Sequence, residues 1–325
     1  MKRFLSNIFF FVILLLGISI FTDIIFSNSL KRGHHAQGEY STWNDLLEGK
    51  INSEILIYGS SRAWVQFSPK IISNELRRSC YNLGIDGHSF WLQNLRHKKI
   101  LKLNTRPKYI IYSVDYNTLR NSGFYNSDQF LPYMLFDKDI KDYTSSLGVY
   151  SIFDYYIPLI RYRGKIDAIK QALKNMIIEP NRELRRQRGY KGIVREWGDD
   201  LENAKKKFSS YSIEMYKPYV KLFDEFLQEC ENQDIKVILV YAPEYIEGQK
   251  FIDNRVKFVK LFEFYATKYN IPFFDYSKDE VSYDKKYFYN STHLNKKGAE
   301  LFSEKLSFDL IKTNSDHGIY MGEVD

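Results

Sequence analysis

The chain has 325 residues, 44% hydrophobic and 27% charged, which fits one large globular domain, or a domain with an insertion, and excludes a disordered polymer. Its two cysteines, Cys80 and Cys230, lie far apart without metal-ligand spacing, which excludes a structural zinc framework; each falls in a segment expected to be buried, as a core thiol, and spacing alone does not pair them. The net charge is +7 and aromatic residues reach 17%, a surplus that suits sugar- or lipid-facing surfaces or a plain compositional bias.

Lys2-Arg3 precede an apolar run from Phe4 to Phe26, interrupted mainly by Ser6, Asn7 and Asp23. About 20 apolar residues suffice to cross a bilayer as a helix. A cleaved signal peptide has a shorter apolar core and ends at a small-residue site, and none follows here, where the flank reads Ser27-Asn28-Ser29-Leu30-Lys31-Arg32. Residues 1–28 are therefore expected to form an uncleaved signal anchor, a single membrane pass. Lys2 and Arg3 are balanced by Lys31 and Arg32, so charge leaves the orientation weakly specified. A short charged N-terminus ahead of a large folded domain favours an extracytoplasmic body, periplasmic or extracellular. Residues 29–53 read as a juxtamembrane connector, with a helical turn at Trp43–Leu47 and His34-His35 in solvated linker.

A regular alternation follows. Strands are expected at Glu54–Tyr58, Ser79–Leu83, Tyr109–Val114, Lys236–Tyr241 and Pro272–Asp275. Helices are expected at Ser68–Arg77, Ser89–Leu103, Ile213–Asn232, Ile252–Tyr269 and Asn295–Ile311. Ser68-Pro69 makes a good cap and first-turn pair. Strands alternating with helices imply right-handed crossovers and a mostly parallel sheet. The pattern breaks over 121–210, read as a largely helical insertion with helices at Asp167–Ile178 and Leu201–Phe208. Between Ile160 and Lys207 fourteen basic residues face seven acidic ones, a local excess of +7 equal to that of the whole chain. Such a patch fits anionic headgroups, an acidic polymer or a solvated helical face. Nucleic acid is the weakest fit beside a membrane anchor. The polar tail, 312–325, is expected to be flexible.

Candidate chemistry gathers at the carboxyl ends of the strands, where open α/β sheets bind ligands. After the first strand comes Gly59-Ser60-Ser61-Arg62, whose serines are either a nucleophile or a helix cap. Asn82-Leu83-Gly84-Ile85-Asp86-Gly87 follows the second strand, Val114-Asp115-Tyr116-Asn117 the third, and Asn290-Ser291-Thr292-His293-Leu294-Asn295 the fifth. A serine nucleophile needs a base, and His293 is the best candidate among six histidines. A developing oxyanion needs donors, which Gly87 and Asn117 can supply, with Arg62 a further oxyanion- or substrate-binding candidate.

These blocks, in this order, resemble the SGNH hydrolase/acyltransferase superfamily over roughly residues 54–120 and 236–311. The resemblance implies a three-layer α/β/α domain with a mostly parallel five-stranded sheet of flavodoxin-like type, spanning 54–311 around the insertion. Laid on this sequence, the family's Gly-Asp-Ser block makes Ser61 the nucleophile, with Ser60 in the Asp place. The family's oxyanion glycine falls on Gly87, and the third block, degenerate here, points to Asn117. The closing Asp-x-x-His pair puts His293 as base with Asn290 in place of the carboxylate. An amide can orient an imidazole but cannot stabilise its cation with a charge, so Asp86, Asp115 or Asp275 is a possible substitute acid.

The layout is also similar to membrane-anchored members of that superfamily, including the D-alanine-transfer protein of teichoic acid synthesis and anchored partners in alginate O-acetylation. That similarity implies acyl or acetyl transfer to a cell-envelope glycan, or ester hydrolysis on it, through a Ser61 acyl-enzyme, beside a membrane-bound O-acyltransferase. No cofactor or metal is expected. Two other readings stay open: a non-catalytic binding or assembly protein in polysaccharide modification, and a lipid-directed esterase.

Overall fold

The computed structural model describes residues 1–87, 90–121, 126–181 and 185–312. In chain order the helices and strands are α1 (Lys2–Lys31), α2 (Glu39–Leu47), β1 (Ile55–Gly59), α3 (Ser61–Gln66), α4 (Pro69–Leu76), β2 (Cys80–Asn82), α5 (Phe90–Leu103), β3 (Tyr109–Ser113), α6 (Lys138–Ser146), α7 (Ile166–Ile177), α8 (Asp200–Lys207), α9 (Lys217–Asn232), β4 (Lys236–Tyr241), α10 (Ile246–Lys250), α11 (Arg255–Lys268), β5 (Phe273–Asp275), β6 (Phe288–Asn290), β7 (His293–Leu294) and α12 (Lys296–Lys312). The chain divides into two compact units, one of Met1–Asn44 with Phe124–Arg185 and one of Asp45–Gly123 with Arg186–Asp325.

The larger unit is built on a parallel five-stranded sheet in the order β2-β1-β3-β4-β5. The order reverses between β1 and β3, and the crevice at their carboxyl ends is the switch point of a flavodoxin-like sheet. Both sheet faces are covered, so the central strands β1 and β3 are buried throughout. On one face Ile55, Ile57, Ile111, Ile238 and Val240 pack with Phe67, Ile72, Phe302, Leu306 and Leu310 from α3, α4 and α12. On the other, Tyr58 and Tyr112 meet Phe90, Phe223 and Phe226 of α5 and α9 in edge-to-face and tilted ring contacts. Cys80 and Cys230 are free thiols, both buried.

Local chemistry sets the ends of these elements. α4 starts where Ser68 Oγ accepts the Ile71 amide and Pro69 takes the first turn, and it stops at Arg77, whose φ of +50° leaves the helix. The expected helix 252–269 is shorter, because Tyr211 and Phe251 pair through their backbones and Asn254 bonds both backbone groups of Ile213. Those contacts hold the turn that precedes α11 and separate α10 from it. The expected start of α5 at Ser89 and the tail from 313 onward lie outside the described residues.

His97 of α5 is completely buried under the sheet, packed on Phe226, with Nδ1 3.1 Å from the Tyr58 hydroxyl. Glu229 lies 3.8 Å from Nε2, but both of its oxygens are taken by Lys98 at 2.6 Å. Burial, with Lys98 nearby, pushes the His97 pKa down to about 3. The unfolded chain binds that proton near a pKa of about 6.5. Stability attributable to this group is therefore intact above that pH and lost as the pH falls towards 3, by about 1.4 kcal/mol per pH unit in the window between. Urea unfolding followed from neutral to acid pH is expected to show this slope, and His97→Gln is expected to make it shallower. An unchanged slope would place the titration elsewhere.

In the smaller unit most of α1 is exposed. Among the described residues it is the one helix long and apolar enough to cross a membrane. It runs on to Lys31, three residues past the expected anchor. Asp23, which reads as a break in the apolar run, is fully buried against Arg161, with paired contacts of 2.5 and 2.6 Å. It also accepts from the Leu159 amide at 2.6 Å and Ser27 Oγ at 3.0 Å. Losing one partner of such a pair strands the other, at a cost of about 3–5 kcal/mol. Farther along, Ser29 Oγ donates to the Ala172 carbonyl and Asn175 donates back to the Ser29 carbonyl, tying α1 to α7. Within 29–53 the chain completes α1 and forms α2, where Tyr40 and Trp43 are fully buried. His35, expected in solvated linker, is held by Asp128, Nε2 to Oδ2 at 2.9 Å.

Candidate active site

The site begins where β1 ends. Gly59 takes φ +138°, and a Cβ there would stand 2.6 Å from the Ser113 carbonyl oxygen, so the tight exit from β1 requires glycine. Ser60 is the cap of α3: its Oγ accepts the Arg62 amide at 3.3 Å and donates to Asp115 Oδ2 at 2.5 Å. Asp115 is itself fixed by the Thr118 amide on its other oxygen, at 3.0 Å. Capping therefore falls to Ser60, and Ser61, first residue of the helix and half-buried, keeps its hydroxyl for another partner.

That partner is His293, with Ser61 Oγ and His293 Nε2 2.8 Å apart. α3 holds its place because Asn82 donates to the Ala63 and Phe67 carbonyls at 2.8 and 2.9 Å, while its Oδ1 accepts the Gly84 amide. Gly84 packs so closely that a Cβ would lie 2.4 Å from the Trp64 nitrogen. His293 is presented by the β6–β7 hairpin, which is docked by the Tyr245 amide on the Ser291 carbonyl and by the Gly198 amide on the Tyr289 carbonyl, each at 3.0 Å.

Behind the imidazole stands Asn290. Its Oδ1 accepts the Thr292 and His293 amides at 3.1 and 2.9 Å and lies 3.0 Å from His293 Nδ1. Two backbone donors fix that atom as the carbonyl oxygen, so the amide orientation is determined by the network. An acceptor facing Nδ1 requires the proton there, which leaves the Nε2 lone pair towards Ser61 and makes the serine hydroxyl the donor. This is the tautomer a general base needs. Thr292 Oγ1, 2.9 Å from Nδ1 and 3.2 Å from Asn290 Oδ1, completes the set by donating to the amide oxygen. The Tyr289 ring stacks on His293 with centroids 5.4 Å apart and planes at 8°. Burial first, and the Arg62 charge second, push the His293 pKa down to about 3, so the ring is neutral through the ordinary pH range.

Arg62 is fully buried. Its guanidinium pairs with Glu244 at 3.0 Å, donates to the Ala242 carbonyl and lies 4.8 Å from the Tyr241 ring centroid, linking α3 to the end of β4. Gly87 turns at φ +68° in the loop after β2, and Asn117 is half-buried in the turn after β3. These loops follow the two strands that flank β1. The geometry thus joins Ser61, His293 and Asn290 in one chain of contacts, while Gly87 and Asn117 lie in the turns after β2 and β3 and Arg62, inside α3, is taken up by Glu244 and the Ala242 carbonyl. Of the candidate acids, Asp115 holds Ser60, Asp275 accepts the Ser277 amide at 2.9 Å, and Asp86 adds its charge to the burial that raises the Tyr289 pKa.

Thr292 and Tyr289, both in contact with the imidazole, carried no role in the sequence reading. Thr292 is signalled by the Asn-Ser-Thr-His run, in which Asn290 Oδ1 reaches the amides of the second and third residues on, as short polar side chains do in turns. Stacking by Tyr289 depends on the hairpin and leaves no local signature.

No family model and no curated protein matches this chain. Solved structures similar to it include a protein described as lipolytic, of the G-D-S-L family, from Desulfitobacterium hafniense, 13% identical, covering 79% of this chain and 99% of its own, with a TM-score of 0.40. An acetyl xylan esterase is 12% identical, with coverage of 78% and 98% and a TM-score of 0.40. A GDSL-like lipase from Bacteroides thetaiotaomicron is 14% identical, with coverage of 87% and 98% and a TM-score of 0.35. These structural neighbours are thus described as GDSL-family lipolytic, esterase and lipase proteins.

Proposed function

We propose that this protein transfers or hydrolyses acyl esters through a Ser61 acyl-enzyme, with His293 as general base and Asn290 as the group that orients it. The 2.8 Å contact between Ser61 Oγ and a neutral, Nδ1-protonated His293 carries the reading. Ser61 Oγ attacks the ester carbonyl carbon as its proton passes to His293 Nε2. The oxyanion is met by the Gly87 amide and the Asn117 side chain. As it collapses, the bond to the leaving oxygen breaks and that oxygen takes the proton from Nε2. Water, or the hydroxyl of an acceptor, then attacks the Ser61 ester by the same route in reverse, giving the free acid or a new ester and restoring both side chains. No bound ion or cofactor enters this balance.

The apolar α1 supports a single-pass anchor, and the likeness in layout to membrane-anchored superfamily members extends the proposal to a domain outside the cytoplasm and acyl or acetyl chemistry on a cell-envelope glycan next to a membrane-bound O-acyltransferase. Asn290 in the carboxylate position favours one second reading, a binding or assembly protein that has kept the fold. A serine-reactive fluorophosphonate, incubated with the intact protein and mapped by peptide mass, separates them. The expected result is a single adduct on Ser61, lost in His293→Ala; absence of an adduct, or one on another serine, would reject the acyl-enzyme.

A further inference from the structure

The smaller unit carries a feature that ester chemistry does not use. From Phe4 to Thr22 every residue of α1 except Ser19 is exposed, a bare length of about 28 Å at 1.5 Å per residue. That is close to the roughly 30 Å of a bilayer's hydrocarbon core. The bare stretch ends at Asp23, and there the unit closes round the helix through Arg161 and Leu159 on Asp23 and Tyr162 on Ser27. Within a few residues of this clamp in the chain stand Ile152, Phe153, Tyr156 and Ile166, each at least 60% exposed. Phe136 joins them, 55% exposed and with its ring 6.0 Å from the Arg161 guanidinium. Five large apolar groups this exposed between residues 136 and 166 are unusual on a water-facing surface. Two cations accompany them: Lys141 Nζ lies 3.7 Å from the Tyr156 ring centroid, and Arg163, next to Tyr162 in the chain, is exposed.

We propose that this collar is a membrane-seating surface, with its aromatic and aliphatic side chains in the boundary between headgroups and acyl chains, and Lys141 and Arg163 facing lipid phosphates. The inference rests on α1 lying in the bilayer. Its own argument is continuity, because the collar begins at the level where the bare helix runs out. Rings and aliphatic groups at that depth match the composition of interfacial belts, and basic side chains there gain about 1 kcal/mol each from an anionic leaflet. Asp23 then sits at the edge of the hydrocarbon, neutralised by Arg161 and closed off from lipid by the collar.

The test uses the full chain in vesicles of phosphatidylcholine and phosphatidylglycerol, with a nitroxide at one introduced cysteine: Phe153→Cys or Ile166→Cys in the collar, Leu14→Cys in α1, and Phe264→Cys on the exposed surface of α11. Collision rates with oxygen report lipid, and those with a nickel chelate report water. The expected result is an oxygen-to-nickel ratio at positions 153 and 166 several-fold above that at 264, and below that at 14. A ratio at 153 and 166 equal to that at 264, with 14 in lipid, would overturn the seating and leave the anchor standing. Nickel access at 14 would overturn the anchor on which the seating rests. Shielding of 153 and 166 from both reagents would mark a second copy on this surface and reject the lipid.

Discussion

Replacing Ser61 by alanine is expected to lower ester turnover by about 10³-fold or more, since removal of a serine nucleophile leaves only binding and oxyanion stabilisation. The measurement is initial-rate hydrolysis of p-nitrophenyl acetate by the intact protein. The fold should survive: Ser61 is half-buried, the cap of α3 is Ser60, and the hydroxyl's partner is His293. His293→Ala should lose a similar factor, and the double variant little more, because the two groups act as one unit. Ser60→Ala should cost stability through the cap, about 1 kcal/mol, with the hydroxyl of Ser61 still present. Turnover that survives Ser61→Ala but falls in Ser60→Ala would move the nucleophile by one residue and reject the assignment.

Asn290→Asp is expected to act in the opposite direction and raise turnover by about 10- to 10³-fold, bounded by the roughly 10⁴-fold that an Asp-to-Asn change costs a serine-protease triad. In the present site the imidazole is neutral down to about pH 3, so it carries little driving force to accept the serine proton. A carboxylate 3.0 Å from Nδ1 would favour the imidazolium and lift that pKa towards neutrality. The sign of the pH effect follows. The wild-type rate should hold as the medium is made acidic, because the base protonates only near 3; the variant should lose activity at a higher pH and be faster above it. The check is kcat/KM against pH for both proteins. A slower variant with an unmoved acid limb would mean that the amide is required as an amide, and that His293 does not act as the base.

Several parts of the fold were legible because local chemistry decides them. β4 is found at its predicted bounds, Lys236–Tyr241, and β1 and β3 lie within a residue of theirs, since short apolar runs bounded by polar or turn residues have few alternatives. Flavodoxin-like order came through the family resemblance, and the Ser61–His293–Asn290 contacts accord with the same blocks. What stayed hidden depends on partners far along the chain. Asp23 looks like an interruption in an apolar run until Arg161 is placed beside it. His35 looks solvated until Asp128 arrives. α6 lies in an aromatic, basic stretch without clean periodicity, yet Asp137 caps it by accepting the Ile140 amide. Ser60 and Ser61 are adjacent and chemically identical, and only Asp115, fifty-five positions on, shows which one is occupied by structure.

The separation between Asp23 and Arg161, 138 positions, also has a consequence for synthesis. A ribosome delivers the acid first and the guanidinium more than a hundred residues later, after β1, α3 and β3 have been made. Throughout that interval the carboxylate at the end of the apolar helix has no guanidinium, and the smaller unit cannot close. The larger unit also waits, since β4, β5 and the hairpin bearing His293 come later still. Contacts so remote in sequence make assembly slow and late. A chain halted near residue 150 would hold the apolar helix, three strands and Ser61, but neither the Asp23–Arg161 pair nor His293.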